Sequence, residues 1–344
     1  EAILYSYSNY SIQMDSISNA GDINGDGFDD VLVGAHLRDS TSALYPFDIG
    51  YSYVVFGKSS GFSPTMDLSS LDGSNGFRVT QFRSDGSHVS SAGDMNGDGF
   101  DDLILGAPTS FTFNDIDDSY VVFGKAGGFN AQMNVSDLDG TNGFQLIGGA
   151  TYSDLGTSVS SAGDINGDGF DDVIVGAPHA NPNGFGYGSS YVVFGKSGGF
   201  DATLDLSNLD GSNGFRLDGE TINDRSGLSV SNAGDVNGDG FDDVIIGASE
   251  ADSNGEKSGS SYVVFGKASG FSAAMDLSSL DGNNGFRLDG VAENDSSGGS
   301  VSNAGDVNGD GFADLLIGVA LADPNGENSG SSYVVFGKAS GFGA

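Results

Sequence analysis

The chain of 344 residues contains no cysteine, which excludes a disulfide framework and thiol chemistry. Positive charge is scarce. Twelve Lys and Arg stand against 48 Asp and Glu, a formal charge of −36. Nucleic acids and anionic membranes are gripped by basic patches, so this balance excludes both as partners and favours cations. No apolar stretch nears the roughly 20 residues that span a bilayer, so direct membrane insertion is not expected. No signal peptide is visible; a secreted precursor would have lost it. Helix-favouring runs are also few. Glycine is abundant, at 58 residues, and hydrophobic content is ordinary at 37%. Together they indicate turn-dense β structure rather than disorder.

The acids are clustered. "DINGDGFDD" at 22–30 returns with small changes at 94–102, 164–172, 235–243 and 306–314, giving spacings of 72, 70, 71 and 71. A fixed period of this length marks a repeat architecture. The fourth copy shows the unit most clearly. It holds four short runs, "GFRL", "LSVSNAG", "DDVIIGA" and "SSYVVFG", each bounded by Gly, Asn, Asp or Ser. "VIIGA" and "YVVFG" are continuously apolar, as in strands covered on both faces. "MDLSSLDG" reads as one helical turn within a connection. Four short strands repeated radially describe an all-β propeller blade. The expected fold is a single domain, 1–344, forming a five-bladed β-propeller of four-stranded antiparallel blades. "EAIL" at the N-terminus aligns with "GFRL", so the N-terminal strand is expected to close the ring by pairing with the C-terminal blade.

Four like charges in nine residues need a counterion. With Asp22 as position one, oxygen-bearing side chains fall at one, three, five and nine, namely Asp22, Asn24, Asp26 and Asp30. Gly27 at six allows a tight turn, and the carbonyl of Phe28 at seven completes an oxygen ligand set. Such alternation around a glycine turn makes a calcium loop. The candidate ligands recur as Asp94, Asn96, Asp98, Phe100 and Asp102; as Asp164, Asn166, Asp168, Phe170 and Asp172; as Asp235, Asn237, Asp239, Phe241 and Asp243; and as Asp306, Asn308, Asp310, Phe312 and Asp314. Five Ca2+ sites are expected. Position eight, Ala313 in the last copy, should point away from the ion, so Asp171→Ala should cost less than Asp168→Ala. An EF-hand would need a bidentate Glu at position twelve. That position is Val33, Leu105, Val175, Ile246 and Ile317, within a predicted strand.

"DVNGDGFDDVIIGA" followed by "YVVFG" resembles the FG-GAP repeat of integrin alpha-subunit propellers. The GAP signature stands at Gly106-Ala107-Pro108 and Gly176-Ala177-Pro178, and departs to "GAH", "GAS" and "GVA" in the other copies. The resemblance implies a propeller with calcium in the loop between the first two strands of a blade. It also implies extracellular adhesion or ligand binding, and the near-identical repeats are similar to those of bacterial surface or secreted proteins.

Catalysis usually breaks repeat symmetry. His36, His88 and His179 do not recur at equivalent positions, and no nucleophile motif surrounds them. The chain therefore reads as a calcium-stabilised extracellular binding or adhesion module for a protein or glycan. The alternatives are a calcium-dependent polysaccharide lyase or other carbohydrate-active enzyme, and a structural subunit of a surface layer or filament. A lyase would need a basic or tyrosine cluster, for which Arg38, Arg78, Arg83 and Arg225 are non-repeating candidates beside the recurring Arg216 and Arg287. The lysines of "YVVFGK" (Lys58, Lys125, Lys196, Lys267 and Lys338) read as structural. Symmetry does break in the loops opposite the calcium loops, where Tyr45, Phe47, Phe111, Phe113, Phe185 and Tyr187, with Tyr5, Tyr7 and Tyr10 nearby, are candidates for a ligand-binding patch.

Overall fold

A computed structural model describes residues 10–39, 49–82, 88–108, 117–148, 153–181, 186–268 and 270–343. The described residues form five sheets, one per repeat. Blade one contains β1 (Tyr10–Gly21), β2 (Asp30–Asp39), β3 (Ile49–Val55) and β4 (Gly76–Phe82). Blade two contains β5 (His88–Gly93), β6 (Asp102–Ala107), β7 (Asp118–Val122) and β9 (Gly143–Ile147). Blade three contains β10 (Ser158–Gly163), β11 (Asp172–Ala177), β12 (Ser189–Val193) and β14 (Gly214–Asp218). Blade four contains β15 (Ser229–Gly234), β16 (Asp243–Ala248), β17 (Ser260–Val264) and β19 (Gly285–Asp289). Blade five has β20 (Ser297–Gly305), β21 (Asp314–Val319) and β22 (Ser331–Val335). All these pairings are antiparallel.

The "GFRL" strand of each repeat thus forms the outer strand of the preceding blade. A feature not anticipated from sequence follows it. Three residues of a later connection, β8 (Gln132–Asn134), β13 (Thr203–Asp205) or β18 (Ala274–Asp276), add in parallel to the outer edge of blades one, two and three. This covers an edge that would otherwise offer open backbone groups. The helical turn after each is a short 3-10 helix, as at Leu277–Ser279, where the Asp276 side chain accepts the Ser278 N–H at 2.8 Å.

The core lies between blades. In β16, Val244 and Ile246 pack towards blade three while Ile245 packs towards blade five. Strand alternation sends successive side chains to opposite faces, and both faces are covered, which is why the run is continuously apolar. The first strands stand side by side in the order β1, β5, β10, β15, β20. Each joint also carries stacked phenylalanines: Phe77 on Phe129 at 4.6 Å, Phe144 on Phe200 at 4.5 Å, Phe215 on Phe271 at 4.5 Å and Phe286 on Phe342 at 4.4 Å. The expected N-terminal closing strand falls on residues 1–9, outside the described residues. Among the described residues blade five has three strands, and β20 does not adjoin β1 as neighbouring first strands do.

Candidate metal loops and the opposite face

Each acidic loop joins the first strand of a blade to the second, and all five turn in the same way. The position-one carboxylate accepts the backbone N–H groups of positions five and six: Asp98 N–H at 3.0 Å and Gly99 N–H at 2.9 Å on Asp94, and Asp239 N–H at 3.0 Å and Gly240 N–H at 2.9 Å on Asp235. The position-five carboxylate accepts the position-seven N–H, as in Asp168 with Phe170 at 3.0 Å. Position six needs a left-handed backbone, with φ between 86° and 91° at Gly27, Gly99, Gly169, Gly240 and Gly311. Only glycine takes that conformation without strain.

The position-nine carboxylates are buried and clip the loop to the end of the third strand. Asp102 accepts the Met95 N–H at 3.0 Å and the Gly124 N–H at 2.9 Å. Asp172, Asp243 and Asp314 repeat the clip. Burial, with the nearby acids of positions one and five, pushes Asp30 up to about 7 and Asp102, Asp172 and Asp243 up to about 8. Oδ2 of Asp30 is buried without a hydrogen-bond partner. Among the described residues no three acidic or histidine side chains form a preassembled cation cage. The donor set nevertheless fits a hard cation. Its side chains are all oxygen donors, and it includes buried carboxylates that are costly to ionise alone.

Two loop positions do a second job that the spacing did not reveal. The position-eight carboxylate reaches back to the preceding blade. Asp101 accepts the Asp22 N–H at 2.7 Å, Asp171 the Asp94 N–H at 2.8 Å, and Asp242 the Asp164 N–H at 3.0 Å. It does point away from its own loop, as expected, but it anchors the neighbouring one. Burial, reinforced by Asp242, Asp101 and Asp94, raises the Asp171 carboxyl above its ordinary range. Position four must be glycine because the next blade's position-seven ring lies on it. A Cβ at Gly97 would sit 2.4 Å from Cε1 of Phe170. The expected ranking of Asp171→Ala and Asp168→Ala is therefore revised. Asp171→Ala should cost about 2 kcal/mol with or without calcium, because a half-buried charge-assisted bond to a backbone N–H is lost. Asp168→Ala should cost most of its stability only when calcium is present. Melting curves of both variants in calcium and in chelator separate the two; a cost of Asp171→Ala confined to calcium would refute the assignment.

The lysines are structural, as read. Lys125 Nζ lies 4.9 Å from the Phe129 ring centroid, and its backbone N–H donates to the Ile23 carbonyl of blade one at 3.0 Å. The pattern repeats at Lys196, Lys267 and Lys338. Arg216 and Arg287 pair with Asp218 and Asp289 on the outer strands, and Arg78 lies over the Tyr51 ring. His36 is buried and hydrogen-bonded to Asp15 at 2.7 Å, and His179 is half-exposed and bonded to Asp154 at 2.7 Å. Burial lowers His88.

The connections from second to third strand, and from each blade to the next, leave the opposite end of the sheets. There a cleft of about 350 Å³ opens between blades three and four, lined by His179, Ile222, Asn223, Arg225, Glu250, Asp252 and Lys257 among others. Arg225 and Lys257 both pair with Glu250, at 3.2 and 3.0 Å. Asn223, Arg225 and Lys257 all hold positive φ, at 71°, 55° and 51°. The same turns hold positive φ at Asp154, Asn294, Ser296 and Asn328 in other repeats, so this backbone belongs to the repeat and the side chains are what distinguish the cleft. Of the six candidate aromatics, Tyr45, Phe47, Phe111, Phe113 and Phe185 lie outside the described residues, as do Tyr5, Tyr7 and Arg83; nothing is described of the Tyr10 and Arg38 side chains. Tyr187 is half-buried beside the cleft, its carbonyl accepting the Ser226 N–H at 3.3 Å.

Curated proteins similar to this chain are integrin alpha subunits. Integrin alpha-4 of Xenopus laevis is 32% identical over 166 residues, covering 47% of this chain and 14% of that protein. Integrin alpha-5 of Xenopus laevis is 28% identical over 243 residues, covering 71% and 20%. Integrin alpha pat-2 of Caenorhabditis elegans is 29% identical over 255 residues, covering 71% and 18%. The chain thus spans a fifth or less of the length of these relatives. The FG-GAP repeat itself matches residues 16–55, 86–122, 155–193, 226–264 and 297–335, more than half of the chain and one match per sheet. With five acidic loops, five sheets and five matched repeats in register, the chain belongs to the FG-GAP repeat family.

Proposed function

We propose that the protein is a calcium-stabilised, extracellular, non-enzymatic module that binds a protein or glycan on the face opposite its acidic loops. The observation that carries this reading is the contrast between the two faces. The loop face repeats one hydrogen-bond scheme and its side chains five times, whereas on the opposite face the equivalents of Ile222, Arg225 and Glu250 in the next repeat are Glu293, Ser296 and Leu321, so that the cleft between blades three and four has a lining of its own. The similarity to integrin alpha subunits supports a ligand-binding role outside the cell.

Asp, Asn, Asp and Asp at positions one, three, five and nine, with the position-seven carbonyl, would hold each ion. Calcium supplies positive charge at five places where the chain concentrates negative charge. The cleft suits a polar partner. Its bases Arg225 and Lys257 are already paired with Glu250, so a ligand must offer hydrogen bonds or exchange partners with Glu250. Arg225 is one of the candidates named for a lyase, but its pairing with Glu250 favours recognition over catalysis.

The test is a glycan array together with a panel of immobilised extracellular proteins, each run with and without calcium. Selective, calcium-dependent binding is expected, reduced at least tenfold in an Arg225→Ala, Tyr187→Ser double variant whose melting temperature is unchanged. Binding that ignores both calcium and this variant would sink the reading, and cleavage of an acidic polysaccharide would establish the lyase instead.

A further inference from the structure

Loops 22–30, 94–102, 164–172 and 235–243 each pack against the blade that follows, and three parts of that contact can be compared. The position-two carbonyl accepts a backbone N–H from the lysine after the next blade's third strand: Ile23 from Lys125 at 3.0 Å, Met95 from Lys196 at 2.8 Å, Ile165 from Lys267 at 2.9 Å and Val236 from Lys338 at 2.9 Å. The position-four glycine lies under the next blade's phenylalanine. A Cβ at Gly25, Gly97, Gly167 or Gly238 would stand 2.2 to 2.4 Å from Cε1 of Phe100, Phe170, Phe241 or Phe312. Both parts are the same at all four joints. The third part differs. Asp101, Asp171 and Asp242 accept the position-one N–H of the loop before them, at 2.7, 2.8 and 3.0 Å, but Ala313 stands in that place against loop 235–243. The Ala313 backbone is positioned as in the other blades, since a Cβ at Gly234 would lie 2.6 Å from Cβ of Ala313, as one at Gly21 would from Cβ of Asp101. Only the carboxylate is missing.

The position-one carboxylate of that loop is held differently. Asp22, Asp94 and Asp164 accept the amides of positions five and six and, among the described residues, no third amide of their loop. Asp235 accepts a third, the Gly238 N–H at 2.6 Å, beside those of Asp239 at 3.0 Å and Gly240 at 2.9 Å. A carboxylate has about four lone-pair sites, so each added N–H leaves less of it for a cation. Calcium affinity is set by the carboxylate charge around the ion and by the rigidity of its frame. Loop 235–243 has less of both, with one carboxylate fewer beside it and no side-chain anchor on the Asp235 N–H.

We infer, on the basis of the calcium binding proposed above, that the position-eight aspartates are positioning residues for the ion in the preceding loop, and that loop 235–243 is a weak site, binding roughly tenfold or more less tightly than loops 22–30, 94–102 and 164–172. As calcium falls, this loop empties before those three. The joint between blades four and five then loses its ion while the three joints before it keep theirs. The loss expected of Asp171→Ala in chelator is the metal-free part of the same contact.

Calcium titration calorimetry of the whole chain, beside hydrogen exchange of the Asp235 amide in chelator, tests this. Ala313→Asp supplies the missing acceptor on a backbone already placed for it. The variant should slow exchange at the Asp235 amide and move one site from the weaker class to the tighter, a gain of roughly tenfold at that site. Asp242→Ala removes the anchor of loop 164–172 and should do the reverse, passing one site to the weaker class. If Ala313→Asp protects the amide yet titrates as the wild type does, the inference is overturned while calcium binding stands. An Asp242→Ala titration with every site in its original class has the same force, and it decides the matter should Ala313→Asp misfold or leave the amide unprotected. Wild-type protein that binds no calcium would defeat the calcium reading, and the inference with it.

Discussion

Chelating calcium is expected to lower the melting temperature more than any single substitution in the protein. An ion that binds folded loops and not the unfolded chain stabilises by mass action, by about 2.7 kcal/mol per independent site at 100-fold over Kd. Five loops with the same turn geometry multiply that effect. Without the ion, each loop face holds several carboxylates whose mutual repulsion has no nearby cation, on a chain of net charge −36. Five ions would offset ten of those charges. Calorimetric titration should find five sites, and the transition in EDTA should move down by tens of degrees or lose its cooperativity. Zero or one site, or an unchanged melting curve after verified metal removal, would defeat the calcium reading while leaving the family assignment intact.

The second large effect is expected at a blade joint. Phe144 is fully buried and lies flat against Phe200 of the next blade at 4.5 Å, with Phe123 tilted against both. Phe144→Ala removes the stack and leaves a cavity between blades two and three, a change that costs about 3 to 5 kcal/mol. In a structure where each unit contacts only its neighbours, the loss is local to one joint. The variant should therefore melt in two steps, blades one and two separating from three to five, or in one step lowered by roughly 10 °C. Phe62→Ala is the control, because Phe62 is half-exposed and has no such partner among the described residues. Equal losses from the two substitutions would show that the joints do not dominate stability.

Much of this was legible in the sequence. The period of about 71 residues identified the repeats. The continuous runs "VIIGA" and "YVVFG" identified strands buried on both faces, and the glycine at position six identified the turn. These are local signals, each set by the backbone preferences of a few adjacent residues. The position-eight aspartates, the position-four glycines and the parallel strands at the outer edges were not legible. Each acts on a neighbouring blade, across a separation of 77 to 79 residues for the carboxylate anchors. Within its own loop, Asp171 looked like a spare acid. Only the packing of one blade on the next turns it towards the Asp94 amide. Burial has the same origin: Leu103 is fully buried because its blade packs on the one before it, a contact between residues far apart in the chain.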